Sequence, residues 1–479
     1  MEIKIFRDQL KQKYTPRPKK IVANSNFEKE ESNLKQNVSI SNLINIMGYG
    51  FESQEISKSV DDTKLKVIGI TGSRGKSSVA FIIHEYFKKL GYKSVLYSSI
   101  KIDSPLSFCA ENTAVENPLM DEQMILDAID EAIEYKADFL IMEVNERAIS
   151  KGLTKDIPFD IRVITNIIPN HNDIFYSDYV DIKKKFFREA KSDVTLISAL
   201  INKETIELKN ELSNRNYKTY SSKYISGVYK LNENEIDFLL KQNDKQFESI
   251  DGLNMSIQTR DGLYDVSTNL IMPYNALNIT CCIGILKTLN VYNHYDFQNL
   301  VKNIVIPGRD EVIRVANRTI FISTNLVPHL ENLKRYKQNG EINNIRLVTG
   351  STGLNFISWT KEFSDEKYLQ EKEFAIKFAY NYIKDNCDIV YITTTDTGAA
   401  NKELLLDYQA SLLNNAIPYE KVLDRSFAIK KAIESSSEND VIFISGRGNR
   451  HIMCDSKDTI ILHLDKDVVI KVLNELNWL

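Results

Sequence analysis

The sequence predicts an α/β protein in which a large central domain and a smaller closing domain each form around a mainly parallel sheet. Two observations predict this class. From Lys64 onward, short apolar and β-branched runs alternate with longer segments of helical spacing, and this alternation is typical of parallel strands covered by helices. A second block with the same alternation begins near Gly308. The 479 residues leave room for both blocks, because a domain averages roughly 150 residues.

The central block begins with a strand, a glycine turn and a helix. KLKVIGI at 64–70 is the strand, and SSVAFIIHEYFKKLGY follows with helical spacing and a glycine stop. Further strands are predicted at KSVLYSSI, DFLIMEV, FDIRVITNI and DVTLISALI, with an amphipathic helix at MDEQMILDAIDEAIEYK. Shorter polar segments within 215–270, namely YKTYSS, SGVYKL and LYDVSTNLI, predict an antiparallel extension. ALNITCCIGILKTLNV then predicts a buried helix.

The second block predicts a smaller Rossmann-like α/β domain. Its candidate strands are RTIFIST, NIRLVTGS, DIVYITTT, DVIFISG and TIILHL, and DKDVVIKVLNEL predicts the closing helix. The residues before the first strand are polar and charged and predict an extended arm with a small helical element. We therefore expect a short N-terminal segment over 1–63, a central domain over 64–307 and a C-terminal domain over 308–479.

Composition and charge exclude several classes of function. Lys and Arg total 61 against 65 Asp and Glu, a formal net charge of −4, which argues against nucleic acid as a general partner. The five cysteines form no CxxC pair, so the sequence predicts neither structural zinc nor a disulfide framework. No apolar run is long enough to cross a bilayer, and the N-terminus lacks an apolar signal core. We therefore expect a soluble cytoplasmic protein that does not bind membranes.

The sharpest local signal is a glycine-rich loop, TGSRGKSS at 71–78, between the first predicted strand and helix. Backbone N–H groups in such a loop and the positive end of the helix bind phosphate. Lys76 would add a point charge for the outer phosphates, and the Ser77 hydroxyl is placed to ligate Mg²⁺. The usual GxxxxGK[ST] P-loop spacing fails at one position, because residue 70 is Ile. The alternative is a tight strand–helix turn that happens to contain Gly-Lys-Ser.

The loop resembles TGTNGKTT of the Mur ligase family, and further motifs of that family follow in the same order. Glu143 in MEV resembles its acidic strand end, and His171 in TNIIPNHNDIF resembles the histidine of TNxxxDHxD. Lys183, four residues after a tyrosine, matches its Y-x-x-x-K. Asn275 and Asn278 match the asparagines of its F-N-x-x-N.

Three more motifs lie toward the C-terminus. PGRDE, with Arg309, resembles the PGRxE hinge. Asp424-Arg425 with the following Ala-Ile resembles DRxxAI, and Gly446-Arg-Gly448 resembles the start of GKGHE. The last two point to the branch that adds the third amino acid of the peptidoglycan stem, the UDP-N-acetylmuramoyl-tripeptide synthetases. The resemblance runs from about residue 64 to the end of the chain.

The resemblance implies an ATP-dependent, ADP-forming ligase. Transfer of the γ-phosphate turns a carboxylate into an acyl phosphate, which an amine then attacks to form an amide. Phosphoryl transfer of this kind depends on positioning and charge neutralisation. The carboxylate would belong to a peptidoglycan-precursor-like or specialised peptide, and the amine to an amino acid or a similar small molecule.

The family's residue roles carry over to matching positions. The catalytic residues implied are Lys76, Glu143, His171 and Lys183. The ATP-binding residues are Gly72, Ser73, Arg74, Gly75, Lys76, Ser77, Ser78, Asn275, Asn278 and Arg309. The Mg²⁺ ligands are Ser77, Glu143, His171 and Lys183, with Lys183 open to carbamylation and Lys184 or Lys185 as alternatives. The substrate-binding residues are Asn112, Thr113, Asn145, Asp396 and Arg447.

The departures from the family concern the substrate ends. Residues 1–63 are too few for the domain that holds the UDP end, and Asn145-Glu146 stands where the family has Ser-Ser. Ser323 to Pro328 replaces DYAHxP without its aspartate and histidine, and the arginine of DNPR is missing from 396–399. GKGHE has also become GRGNR at 446–450.

Several alternatives remain open. Taken singly, each site residue could be a solvated strand end, a loop residue, a charged helix face, a helix cap or a structural ion pair. Within ligases, the chain could form a polymer of glutamate-like units. Outside them, it could be a nucleotide-binding scaffold that joins nothing. A motor or signalling ATPase would leave the PGRDE hinge and the second α/β block unexplained.

Overall fold

The computed structural model describes most of the chain. The described residues are 65–104, 122–169, 178–242, 247–324, 326–351, 365–397, 401–454 and 460–479. The arm and small helical element predicted over 1–63 lie outside these ranges. Among the residues described, no helix is both long and apolar enough to cross a membrane.

Eleven strands of the described chain form one sheet, named here the central sheet. They are β1 (Lys66–Thr71), β2 (Ser94–Tyr97), β3 (Ile102–Asp103), β4 (Phe139–Glu143), β5 (Ile161–Ile164), β6 (Thr195–Ala199), β7 (Tyr217–Ser222), β8 (Phe238–Gln242), β9 (Glu248–Ser249), β10 (Gly252–Thr259) and β11 (Gly262–Thr268). Their order is β11-β10-β8-β7-β6-β5-β1-β4-β2-β3, with β9 against β10. The strands from β8 to β2 are parallel, whereas β10, β11 and β9 add an antiparallel extension.

Helices cover both faces of the central sheet. They are α1 (Lys76–Lys89), α2 (Glu122–Glu134), α3 (Glu146–Ser150), α4 (Tyr179–Arg188), α5 (Lys203–Glu211), α6 (Lys223–Val228), α7 (Tyr274–Thr288) and α8 (His294–Val301). Apolar residues of α1 and α7 pack on one face, and those of α2 and α4 on the other. Because β1 is covered on both sides, it is a continuous apolar run in which Val67, Ile68 and Ile70 are all buried.

Two sequence predictions within 215–270 are wrong in detail. YKTYSS forms β7, which pairs in parallel with β6 and not in the antiparallel extension. SGVYKL forms no strand, because the Ser222 hydroxyl caps a short helix by accepting a hydrogen bond from the Ile225 N–H. The antiparallel part begins one strand later, where β10 pairs with β8.

A second sheet, named here the C-terminal sheet, has six strands within the described residues. They are β12 (Glu311–Val315), β13 (Arg318–Ser323), β14 (Ile345–Thr349), β15 (Ile389–Ile392), β16 (Tyr419–Lys421) and β17 (Val441–Ser445), in the order β12-β13-β17-β14-β15-β16. All neighbours are parallel except the β12–β13 hairpin. The helices of this part are α9 (Val327–Gln338), α10 (Asp365–Asn386), α11 (Lys402–Leu413), α12 (Arg425–Glu434) and α13 (Asp465–Glu475).

TIILHL does not join the C-terminal sheet, which corrects the sequence prediction. Part of it forms β19 (Ile460–Leu462), which pairs with β18 (Ile452–Cys454) as a separate two-stranded sheet. The sheet edge beside β13 is already taken by β12, which folds back through Ala316 and Asn317 at positive φ. A two-residue turn of this kind matches the twist of a tight hairpin, so that edge is closed to β19.

Candidate active site

The glycine-rich loop joins β1 to α1 at the centre of the central sheet. Gly72 and Gly75 have φ angles of 148° and 82°, which residues with a Cβ rarely adopt. A Cβ on Gly72 would lie 2.0 Å from Thr165 Oγ1, and one on Gly75 would lie 2.4 Å from Asn278 Oδ1. Both glycines are therefore required by the backbone angle and by the close approach of neighbouring side chains.

Residues that follow β5 along the chain hold the loop in place. The Ser73 hydroxyl accepts hydrogen bonds from the Ile168 N–H at 2.8 Å and from the Tyr179 hydroxyl at 2.9 Å. The Arg74 N–H donates to Asn166 Oδ1 at 2.9 Å. The tyrosine is the one in the Y-x-x-x-K motif, so part of that motif supports the loop.

Lys76 and Ser77 open α1 as the sequence predicted. Lys76 Nζ donates to the Gly72 carbonyl at 2.9 Å and so lies over the loop. Ser77 Oγ donates to Glu143 Oε1 at 2.9 Å. The hydroxyl, the ammonium and the carboxylate thus converge at the start of the helix, where backbone N–H groups and the helix dipole favour anions.

Glu143 ends β4 and is buried beside β2. Its Oε2 accepts from the Ser98 hydroxyl at 2.6 Å and from the Ser99 N–H at 2.8 Å. Burial acts to raise the pKa of Glu143, but the charge of Lys76 and the hydrogen bonds from Ser98 and Ser99 outweigh it and hold that pKa below its usual value. Glu143 is therefore ionised, and its oxygens with the Ser77 hydroxyl form the hard donor set that Mg²⁺ prefers.

Lys183 is the lysine of the KKK run that reaches the loop. Its Nζ donates to Thr71 Oγ1 at 3.1 Å and to Glu146 Oε2 at 3.0 Å. Lys184 and Lys185 instead pair with carboxylates away from the loop, at Glu207 and Glu189.

The pKa values of Lys183 and Glu146 are both lowered. Burial lowers the pKa of Lys183 to about 8, against the opposing effect of Glu146. Burial also acts to raise the pKa of Glu146, but the charges of Lys183 and Lys76 lower it to about 2. Glu146 is therefore paired, and its charge does not stand alone against an anionic acceptor.

Asn275 and Asn278 lie near the N-terminal end of α7, beside the loop. Asn278 Nδ2 donates to Asn275 Oδ1 at 2.9 Å, and Asn275 Nδ2 donates to Asp310 Oδ2 at 3.0 Å. Asn275 thereby links the loop side of the site to the segment that follows Arg309, and its amide is engaged by Asp310 in this arrangement.

Asp310 and His329 form a buried pair that sequence reasoning missed. His329 Nε2 lies 2.6 Å from Asp310 Oδ1, Ser323 Oγ donates to the same oxygen at 3.1 Å, and the Tyr274 hydroxyl donates to Asp310 Oδ2. Burial acts to raise the pKa of Asp310, but His329 and the other donors lower it to about 2. An aspartate and a histidine are thus present near β13, although not at the positions of DYAHxP. The only sequence signal for His329 was its position directly after Pro328, the residue placed on the proline of DYAHxP.

Arg309 bridges the two sheets. Its Nη1 donates to Thr324 Oγ1 at 2.6 Å, and its Nη2 donates to Ser99 Oγ at 3.4 Å. Ser99 also donates to Glu143, so the hinge arginine lies one side chain away from the carboxylate. The placement suits an arginine that contacts phosphates bound at the loop.

Asp396 and Arg447, both predicted to bind substrate, pair with each other. Arg447 Nη1 lies 2.9 Å from Asp396 Oδ1, and both side chains are buried. Asn145, also predicted to bind substrate, caps α3 by accepting from the Ala148 N–H at 2.8 Å. Their substrate roles stay predictions. Ser78, predicted to bind ATP, is a buried residue of α1. Asn112, Thr113 and His171 lie outside the described residues.

Comparison with known proteins finds similarity to Mur ligases. A family model described as the Mur ligase middle domain matches residues 70–286. A UDP-N-acetylmuramyl-tripeptide synthetase of Lactococcus lactis subsp. cremoris (strain SK11) is 26% identical over 401 residues, which cover 80% of this chain and 73% of that relative.

Two solved structures share the fold. The MurF ligase from Thermotoga maritima in complex with ADP superimposes with a TM-score of 0.55 at 16% identity, covering 86% of this chain and 79% of that one. E. coli FolC in complex with DHPP and ADP gives a TM-score of 0.56 at 14% identity, covering 86% and 89%. The resemblance to the Mur ligase family that the sequence motifs predict is thus confirmed, with a Mur ligase middle domain matched at residues 70–286.

Proposed function

We propose that this protein is an ATP-dependent, ADP-forming carboxylate–amine ligase that works through an acyl phosphate. The observation that carries the proposal is the convergence of Lys76, Ser77 and Glu143 at the start of α1. The loop before these residues has the glycine backbone angles of a phosphate site. The relatives named above are ligases of the same family, which supports the assignment.

Different residues of the chain would have different roles in phosphoryl transfer. The N–H groups at the start of α1 and the Lys76 ammonium would bind the outer phosphates and fix the γ-phosphate against the acceptor. Ser77 and Glu143 are the described residues that would hold Mg²⁺, which when bound neutralises charge on the phosphates. Arg309 would add positive charge from the hinge side. A carboxylate that accepts the γ-phosphate becomes an acyl phosphate, and the amine displaces the phosphate to leave an amide.

The paired charges indicate where the acceptor carboxylate and the amine would bind. An acceptor with a carboxylate, as on a peptidoglycan-precursor-like or specialised peptide, can approach because Lys183 neutralises Glu146. The amine would come from an amino acid and be held on the side of the C-terminal sheet, near Asp396 and Arg447. We place the reaction in the cytoplasm, because it consumes ATP.

A carbamate on Lys183 would compete with its pair to Glu146. The amine that would carry the carbamate is the same nitrogen that now donates to Glu146 and Thr71. The proposed phosphoryl transfer does not need this modification, because Ser77 and Glu143 already supply oxygen ligands at the loop.

A screen for product mass tests the proposal. The purified chain is incubated with ATP, Mg²⁺, pooled amino acids and candidate carboxylates, including UDP-N-acetylmuramoyl-L-alanyl-D-glutamate. We expect ADP release that depends on both substrates and a product heavier by one amino acid less water. Lys76→Ala should abolish it, whereas Lys89→Ala, at the far end of the same helix, should not. ATP binding without stimulated ADP release would favour a scaffold, and several additions per acceptor would favour a polymer-forming ligase.

A further inference from the structure

A buried carboxylate at the hinge takes no part in the steps proposed above. Asp310 is 4% exposed. Its Oδ1 accepts hydrogen bonds from His329 Nε2 at 2.6 Å and from Ser323 Oγ at 3.1 Å. Its Oδ2 accepts from the Tyr274 hydroxyl and from Asn275 Nδ2, the latter at 3.0 Å. The donors lie on β13, α7 and α9, so this one side chain joins the central and the C-terminal parts.

The charge of Asp310 fixes the direction of two neighbouring amides. Burial acts to raise the pKa of Asp310, but His329 and the other donors lower it to about 2, so the carboxylate is ionised. An ionised carboxylate only accepts hydrogen bonds. Asn275 must therefore turn its amide nitrogen toward Asp310 and its oxygen away. That oxygen accepts from Asn278 Nδ2 at 2.9 Å, so the second amide takes its direction from the first.

The second amide turns its oxygen toward the phosphate loop. A Cβ on Gly75 would lie 2.4 Å from Asn278 Oδ1 but 3.6 Å from Asn278 Nδ2. Asn278 is 6% exposed, and no residue that the structure describes donates a hydrogen bond to that oxygen. An unpaired carbonyl in such a place is unfavourable, so a bound molecule that donates a hydrogen bond there gains affinity over one that does not. Because Gly75 directly precedes Lys76, the molecule at this point would be the nucleotide.

We propose that Asp310 is a positioning residue for nucleotide selection: it directs Asn275 and Asn278 so that the nucleotide must donate a hydrogen bond to Asn278 Oδ1. A nucleotide offers such donors on its ribose hydroxyls and, in adenine, on the exocyclic amine. The proposal deepens the proposed function and rests on it, because the nucleotide is the ATP of that function. The family motifs do not imply this role, since residue 310 is the variable position of PGRxE.

Two variants separate the direction of the amides from the strength of the hydrogen-bond network. Asp310→Asn keeps the shape of the side chain but can also donate, which allows both amides to reverse and Asn278 to present its nitrogen. A proton shift on His329 that would avoid this reversal is opposed, because its Nδ1 is buried and makes no hydrogen bond to any described residue. Tyr274→Phe also removes a hydrogen bond to residue 310 but leaves the carboxylate, so the direction is kept.

Titration calorimetry of the full-length protein with nucleotides and Mg²⁺, without acceptor or amine, tests the proposal. The nucleotides are ATP, 2′-deoxy-ATP, 3′-deoxy-ATP and inosine triphosphate, in which a carbonyl replaces the amine. We expect the wild type to bind the analogue that lacks the required donor at least about tenfold more weakly than ATP, as for one carbonyl left unpaired. This affinity ratio should fall toward one in Asp310→Asn and stay at the wild-type value in Tyr274→Phe. The analogue that loses affinity identifies the donor.

Thermal unfolding shows that each variant folds, and Asn275→Leu gives a second route to the same result. It removes the amide between Asp310 and Asn278, so the affinity ratio should fall as in Asp310→Asn. Equal wild-type affinities for all four nucleotides would overturn the proposal, and so would a folded Asp310→Asn or Asn275→Leu variant that keeps the wild-type ratio. An equal loss of the ratio in Tyr274→Phe would overturn it too, as the mark of a purely structural role. Failure of the ligase assignment alone would appear as Asp310-dependent selection without an amide product.

Discussion

Glu143 accepts hydrogen bonds from three serines beside the phosphate loop. Ser77 donates to one of its oxygens, while Ser98 and Ser99 donate to the other. A carboxylate held from both sides has a fixed orientation, which would strengthen Glu143 as a ligand of Mg²⁺ in the proposed site. The two serines after β2 are therefore as much part of the site as the loop itself.

Removal of the Ser98 hydroxyl tests this role. Ser98→Ala leaves Glu143 in place but removes its shortest hydrogen bond, and groups that orient a metal ligand typically contribute about 10-fold to 100-fold in metal affinity. We expect the Mg²⁺ concentration for half-maximal ADP release to rise by about that factor. Ser94→Ala is the matched control, since this buried serine of β2 contacts His84 and not Glu143. Equal Mg²⁺ requirements in both variants would contradict the role.

Asp310 predicts a pH dependence of stability. Its pKa is lowered to about 2 in the folded protein, so its contribution is fully present above the unfolded value near 4 and is lost as the pH falls toward 2. Asp310→Asn should lower the free energy of unfolding by about 2 kcal/mol at pH 7, and the difference should shrink below about pH 4. Denaturant unfolding of both proteins across this range measures it. A difference that stays constant with pH would exclude this linkage.

At the residue scale, the sequence predicted the loop between a strand and a helix and Glu143 at a strand end, and the structure has both in these places. Their catalytic roles stay predictions. Asp310 and His329 were missed, because one lies at a variable position of the hinge motif and the other in a helix 19 residues later. Their pairing depends on how the hinge folds against β13, and no spacing rule gives that.

At the scale of elements, two glycine-containing turns meet between the hinge and the GRGNR loop. A Cβ on Gly308 would lie 2.1 Å from the Asn449 nitrogen, and one on Gly448 would lie 2.8 Å from the Gly308 carbonyl oxygen. Both residues have positive φ. The PGRDE and GRGNR motifs are therefore one structural unit, although Gly308 and Gly448 lie 140 residues apart in the sequence.

Gly308→Ala tests this unit against a matched glycine. Gly340 also has positive φ but has nothing within 4 Å of a Cβ, so Gly340→Ala measures backbone strain alone, at about 1 kcal/mol. Gly308→Ala should cost more in free energy of unfolding and should also reduce ADP release, because the added carbon displaces the Asn449 backbone. Equal losses in the free energy of unfolding in the two variants, with ADP release unchanged, would show that the close packing of Gly308 against Asn449 affects neither stability nor activity.

Most strands and helices could be predicted from hydrophobic periodicity, and the exceptions have local causes. β1, β4, β5 and β6 are apolar runs buried on both faces, which makes them easy to identify. SGVYKL lacked any strand partner once Ser222 capped a helix. TIILHL has strand composition, but its pairing with β18 depends on which sheet edge is vacant, a property of the whole sheet and not of the segment.

At the scale of the whole molecule, two contacts join the C-terminal part to the segment after β2. Arg309 donates to Ser99 at 3.4 Å, and Asn449 Nδ2 donates to the Ile100 carbonyl at 2.5 Å. This segment also carries Ser98, which orients Glu143. The docking of the C-terminal sheet and the geometry of the carboxylate are thereby connected through a few residues.

Asn449→Ala tests the connection. It removes one hydrogen bond, so the free energy of unfolding should change by only about 1 kcal/mol. The rate of ADP release should fall by more than that small loss of stability explains, because the hinge arginine is less well placed. Asn343→Ala is the control, since this asparagine makes a similar bond to the Glu438 carbonyl within the C-terminal part. Identical rates for both variants would count against the coupling.

The central claim is that the loop, Ser77 and Glu143 serve transfer of a phosphate from ATP to a carboxylate. Isotope transfer measures this step directly. With an acceptor whose carboxylate carries ¹⁸O, identified in the product screen, an acyl phosphate passes one labelled oxygen to the inorganic phosphate released. We predict labelled phosphate in proportion to the amide formed, with both absent in Lys76→Ala. Amide formation with unlabelled phosphate would contradict the account.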